Sequence, residues 1–190
     1  MKVIKFLISS VVLWIGSVTF AWSASVSAPK YFIWLSQQTG VPPLVLYALS
    51  VQETNTKMVD GTVSPWPYTI NHKRKAFFYA TEAEMLSKAR SLISQGYHSF
   101  DVGPFQVNWK WNGHRARSIE DLGNVHRNGI IAAEILMEHY KKYGNWIDAA
   151  GRYHNPANKN GLADKYKKEF REKLAMIESG KYQRLAQKNE

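Results

Sequence analysis

Helix punctuation divides this chain more firmly than any other feature. Pro29 opens an apolar-periodic stretch that Gly40 closes, and Pro42 and Pro43 suit the first turn of a second, "PPLVLYALSVQET". Thr81 and Glu84 have the spacing of a capping box ahead of "MLSKARSLISQG", with Gly96 as its stop. A long helix is predicted over 124–143, stopped by Gly144; a shorter one follows an Asn145 cap and ends at Asn155-Pro156. "NGLADKYKKEFREKLAMIESG" reads as an amphipathic, charged last helix. Between these lie two irregular stretches rich in aromatics, 55–80 and 97–115. The first holds "GTVSPWPYTIN" and "KRKAFFYA", which suggest a loop and a short hairpin. The expected fold is therefore mainly α, with a short hairpin or irregular segment. Long irregular stretches inside a helical domain are where function concentrates.

The N-terminus stands apart. "MKVIK" is basic, a 17-residue uncharged apolar run follows, and "AWSASVSA" supplies small residues, with Ala21 and Ser23 placed for cleavage. This is the pattern of a secretory leader, predicted over residues 1–23; a retained inner-membrane anchor is the competing reading. No later segment is long and apolar enough to span a bilayer. One domain is expected over 29–180, with a polar tail at 181–190. The 190 residues contain no cysteine, so an exported chain of this kind rests on its core rather than on disulfides. A bacterial, periplasmic protein fits. The absence of cysteine also excludes a thiolate nucleophile and a Cys-based zinc site. The six histidines show no i, i+4 pair near acids, so no metal and no cofactor is expected. Net charge is +10; without the leader lysines Lys2 and Lys5 it is +8, a balance that favours anionic polymers without selecting one.

Three short motifs carry candidate chemistry. In "LYALSVQETN", Leu46, Leu49 and Glu53 are spaced to share one helical face, which places a carboxylate beside apolar residues at a helix C-terminus, where the macrodipole opposes it. Burial there would raise its pKa and keep it protonated near neutrality, as a general acid requires. The alternative is a solvated glutamate on a fraying end. In "DVGPFQVNW", Gly103 permits a tight backbone, and Gln106 and Asn108 alternate with Phe105 and Val107 as on a strand with one polar face; amides suit sugar hydroxyls and acetamido groups. In "AAGRYHNP", Tyr153 reads first as a tyrosine closing the core, with a hydrogen bond to a catalytic carboxyl as the alternative, and His154 follows it. Trp66, Tyr68, Trp109 and Trp111 fall in the irregular stretches, as a platform for flat ligands would. Asp101 is the one candidate second carboxylate; an Asx turn before Gly103 is its simpler role.

In order, "ALSVQET", "GPFQVN" and "AAGRYHN" resemble the bacterial lytic transglycosylases with a soluble-lytic-transglycosylase domain, relatives of goose-type lysozyme, over residues 30–156. "PWPYTIN" resembles a subgroup found beside conjugation, pilus and secretion systems. The resemblance implies a lysozyme-like helical domain with a substrate cleft and a peptidoglycan substrate. It implies Glu53 as catalytic acid, Gly103, Gln106 and Asn108 as a substrate-lining segment, and Tyr153 as the third motif's tyrosine; Trp66, Trp109 and His154 are further candidate substrate contacts. The reaction implied is cleavage between N-acetylmuramic acid and N-acetylglucosamine with a 1,6-anhydro product, which needs one carboxylic acid where ordinary glycosidases use two. Departures are Thr54 after the Glu, Pro104-Phe105 in place of Leu-Met, and His154 in place of Asn. A hydrolytic muramidase using Asp101 and a non-catalytic peptidoglycan-binding assembly module are the alternatives. A nucleic-acid partner, which "KRK" at 73–75 would motivate, conflicts with export.

Overall fold

In the computed structural model, described over residues 26–57 and 63–182, every long helix begins and ends where its punctuation lies. α1 (Lys30–Thr39) stops at Gly40, whose φ of 75° places it in the left-handed region. α2 (Pro43–Thr54) follows. α3 (Glu82–Ser94) carries the full reciprocal capping box, with the Thr81 hydroxyl accepting from Glu84 N–H. Two short helices, α4 (Trp109–Asn112) and α5 (Ile119–Gly123), precede the long α6 (Val125–Tyr143). The Ser118 cap of α5 was not foreseen: five residues are too few to show a period. α7 (Trp146–His154) and α8 (Leu162–Glu178) follow. The domain is mainly helical with a small sheet region, the architecture expected of a lysozyme-like helical domain. None of the described helices is long and apolar enough to cross a membrane. The leader expected in residues 1–23 lies outside the described residues, as does all but the start of the tail.

The first irregular stretch forms two antiparallel pairs. β1 (Asn55–Lys57) pairs with β2 (Val63–Pro65), and β3 (Thr69–His72) turns directly into β4 (Lys75–Phe78). β3 also pairs with β5 (Asp101–Val102), which pairs with β6 (Val107–Asn108), giving a sheet ordered β4-β3-β5-β6. This sheet joins both aromatic stretches side by side, which a separation of some thirty residues concealed.

Two expectations of local structure are corrected. Gln106 and Phe105 do not alternate along a strand: only Val107 and Asn108 are paired, and Gln106 has φ of 48°, so the segment before them is a turn. Asp101 forms no Asx turn; the Gly103 N–H donates across the sheet to the Thr69 carbonyl, and the Asp101 carboxylate accepts from Asn108 instead.

One core runs through the domain. α2 is buried on nearly every side, from Val45 through Val51, rather than along one stripe. It is covered by α1 and by α8, where Tyr166, Phe170, Leu174 and Ile177 are buried. α7 meets α8 closely: a methyl added at Gly151 would stand 2.7 Å from the Ala163 carbonyl oxygen. That approach brings the end of α7 and the start of α8 over the last turn of α2, where Glu53 lies.

Candidate active site

Glu53 occupies the last turn of α2 and is half-buried, while Leu46 and Leu49 below it are fully buried. The buried Tyr166 of α8 donates its hydroxyl to Glu53 Oε1 at 2.6 Å. Gln52 Nε2 donates to Glu169 Oε2 at 3.1 Å and ties the same two helices one residue away. Loss of water around the carboxyl pushes its pKa up, and the nearby negative charge of Asp101 adds to the rise. The Tyr166 hydrogen bond and, more weakly, the Lys173 charge pull it down; the balance is about 7. The phenol's own pKa is driven far above its ordinary value, by burial first and then by Glu53, so the proton of the pair stays on tyrosine oxygen. At neutral pH Glu53 is thus divided between a protonated form that can donate and an ionised form that can accept.

The second motif forms the wall beside it, and its backbone is held carbonyl by carbonyl from four directions. The Val102 oxygen accepts from Asn128 Nδ2 of α6 at 3.0 Å. The Gly103 oxygen accepts from the Thr69 hydroxyl at 3.0 Å and from Gln106 Nε2 at 2.9 Å. The Pro104 oxygen accepts from the Ser50 hydroxyl of α2 at 3.0 Å and shares the Thr54 hydroxyl, 3.2 Å away, with the Ser50 carbonyl at 3.0 Å. The Phe105 oxygen accepts from the Tyr153 hydroxyl of α7 at 2.7 Å. Ser50 and Thr54 are one turn apart on α2, so both reach the same carbonyl while Glu53 stands beside them. Gly103 has φ of 78°, and a Cβ there would lie 2.7 Å from Asn128 Cγ; both conformation and space require glycine.

The candidate residues divide into groups. Glu53, Asp101 and Tyr153 come together: the charges of both carboxylates raise the Tyr153 pKa, after burial, the largest cause. Tyr153 does not hydrogen-bond the glutamate, however; Tyr166 does. Asn108 donates to Asp101 Oδ1 at 2.7 Å, opposing the rise that burial gives that carboxyl, and its own oxygen caps α4 at Trp111 N–H. Gln106 Nε2 is engaged by Thr69 and Gly103. His154 lies flat on the Tyr166 ring, centroids 4.5 Å apart and planes at 12°. Trp66 is half-buried, its indole N–H donating to the Tyr79 carbonyl at 2.8 Å; Trp109 is half-buried with its ring against Gly113. Trp111 is the exposed member of the aromatic set, at 67%. Among the described residues no group of three or more His, Asp or Glu converges as a metal site would require.

Tyr166, Asn128, Ser50 and Thr69 were not singled out in the sequence. Each sits in a helix or strand where nothing local marks it, and each acts across a long stretch of chain: Tyr166 is 113 residues from Glu53.

The family model described as Transglycosylase SLT domain matches residues 66–176, more than half of the chain. The match contains the second and third motifs and Tyr166 but begins after Glu53, so the place of the carboxylate in this site rests on its geometry. No curated protein and no solved structure matches the chain significantly.

Proposed function

Because the chain belongs to the family of transglycosylases with an SLT domain, we propose that it is a peptidoglycan lytic transglycosylase, with Glu53 as the single acid and base. The observation that carries this is the half-buried Glu53 carboxyl, held by Tyr166 at 2.6 Å with its pKa near 7. Protonated Glu53 gives its proton to the oxygen linking N-acetylmuramic acid to N-acetylglucosamine, and the bond from the muramyl anomeric carbon to that oxygen breaks. The sugar's own acetamido group supports the cationic centre. The ionised Glu53 then takes the proton from the muramyl 6-hydroxyl as its oxygen bonds to the anomeric carbon. The products are a 1,6-anhydro end and a free 4-hydroxyl, no water is consumed, and the glutamic acid is restored. Tyr166 stabilises the intermediate carboxylate, since a hydrogen bond to the charged form favours it. Asp101 contributes charge, with one oxygen held by Asn108; Gly103, Gln106, Asn108, Tyr153 and His154 shape the wall, with Trp66 and Trp109 as further contacts.

The leader expected in residues 1–23 supports action in the periplasm, and "PWPYTIN" supports a role in opening the wall locally for a conjugation, pilus or secretion apparatus. Normal assembly of such an apparatus in a deletion strain would refute that role. For the reaction, purified peptidoglycan is digested with the wild-type chain and with Glu53→Gln, and the soluble products are weighed. Muropeptides one water lighter than hydrolytic ones, absent with the variant, are expected. Full-mass reducing ends would make the enzyme a hydrolase with Asp101 as base.

A further inference from the structure

A hollow of about 740 Å³ opens between the β3–β4 turn, the stretch joining α3 to β5, and α4. Its lining includes Asn108 and Asp101, which are hydrogen-bonded to each other, and the charge of Asp101 is felt at Glu53. Lys73, Arg74 and Lys110 line its mouth, and all three are exposed. Among the described residues no carboxylate lies within ion-pair distance of any of them. The lysines rest instead on aromatic faces: Lys73 Nζ is 4.3 Å from the Tyr97 ring centre and Lys110 Nζ is 4.8 Å from that of Trp111. An aromatic face holds an ammonium in place without neutralising it. On the same hairpin, the Phe77 ring has Lys75 Nζ and, from α3, Lys88 Nζ each 5.3 Å from its centre.

The backbone adds an independent sign. Lys73 and Arg74 are the two residues of the β3–β4 turn, with φ of 53° and 65°. A two-residue turn with both φ positive strongly prefers Asn-Gly, and long side chains are disfavoured there. Disfavoured backbone retained at the mouth of a cleft points to function rather than to folding. The three cations are without an ion-pair partner, two of them are held at a conformational disadvantage, and all line a hollow that shares Asp101 with the surroundings of Glu53.

We infer that this basic hollow is a subsite for the free carboxylates of the short peptide carried by the glycan strand. The inference rests on the proposed peptidoglycan substrate, whose muramyl lactyl groups bear acidic peptides next to the scissile bond. Lys73, Arg74 and Lys110 would grip those carboxylates and set which bonds along a strand are presented to Glu53.

The test is a titration of the full chain with the free wall peptide, followed by NMR, alongside the same peptide with its carboxylates amidated. Shifts centred on Lys73, Arg74 and Lys110 with the acidic peptide, and weak or absent with the amidated one, are expected. The double variant Lys73→Asn with Arg74→Gly removes both charges and installs the residues such a turn prefers, so it should melt no lower than wild type. Its peptide affinity should fall about tenfold, the effect of losing two partly exposed ion pairs, and its preference for peptide-bearing over peptide-stripped glycan should fall with it. Equal binding of the two peptides, or unchanged affinity in the folded double variant, overturns the inference. Tighter binding of inorganic phosphate than of the peptide overturns it too, by assigning the hollow to a phosphate-bearing ligand. If the wall is not cleaved at all, the reaction falls while the titration still decides the subsite.

Discussion

Replacing Glu53 with glutamine should stabilise the protein at alkaline pH, the reverse of what most substitutions at a well-packed site do. The carboxyl is displaced from an ordinary 4.5 to about 7, burial being the chief cause. Below pH 4.5 it is protonated in the folded and the unfolded chain alike, and ionisation costs the fold nothing. As pH rises the unfolded chain releases its proton first, while the folded chain must either keep it or ionise in a poorly hydrated place. Folding stability therefore declines from about pH 4.5 to about pH 7 and levels off above that. A displacement of this size corresponds to about 3 kcal/mol. Glutamine cannot ionise, yet it offers Tyr166 the same acceptor oxygen at the same place. Urea unfolding of wild type and Glu53→Gln at intervals from pH 4.5 to 8.5 reads the difference directly. The variant should gain on the wild type from about pH 4.5 to about pH 7, by about 3 kcal/mol in all, and hold that gain to pH 8.5, whatever fixed offset the amide brings. A difference that stays constant with pH, or one that moves against the variant as pH rises, would refute the desolvated acid and with it the basis for Glu53 as proton donor.

Tyr166→Phe keeps the ring beneath His154 and removes only the donor to Glu53, so the alkaline limb of the pH–rate profile should move up by about one pH unit; an unmoved or lowered limb refutes the pairing. Asp101→Asn removes a charge that raises the Glu53 pKa, so the same limb should move down while the product keeps its anhydro end, read by mass; a switch to no product from a folded variant would assign Asp101 a direct role. Asn128→Ala strips the buried amide from Val102 O, Leu122 O and Phe105 N–H and should destabilise by about 3 kcal/mol in denaturant titration; a loss under about 1 kcal/mol would show that the wall is held without it.

The helices were legible because their signals are local. Thr81 and Glu84 are three residues apart, and Gly40 and Gly144 act on the turn immediately before them. Glu53 was legible as an anomaly, a carboxylate where both the apolar face and the helix dipole disfavour one. What surrounds it was not. Tyr153 offered a carboxyl contact only as the alternative to a core role, and it fixes the Phe105 carbonyl, while Tyr166, in a helix that reads as a charged exterior face, makes the contact. The outcome depends on how α7 and α8 pack over α2, which no spacing within either helix records. Gln106 misled for a related reason: apolar–polar alternation also arises in a turn whose apolar member, Phe105, is pulled into the core and whose polar member doubles back on its own backbone.

The dependence of Glu53 on Tyr166 also orders events in time. Synthesis proceeds from the N-terminus, so the acid exists 113 residues before the phenol that tunes it. Until α8 has emerged and docked on α2, the helix that lies against Glu53 is missing, and the burial that lifts the pKa of its carboxyl is incomplete. On the proposed reading of Glu53 as the acid, the docking of α8 completes the surroundings that the proton donor needs, and a nascent or truncated form ending before α8 would be a weaker acid catalyst.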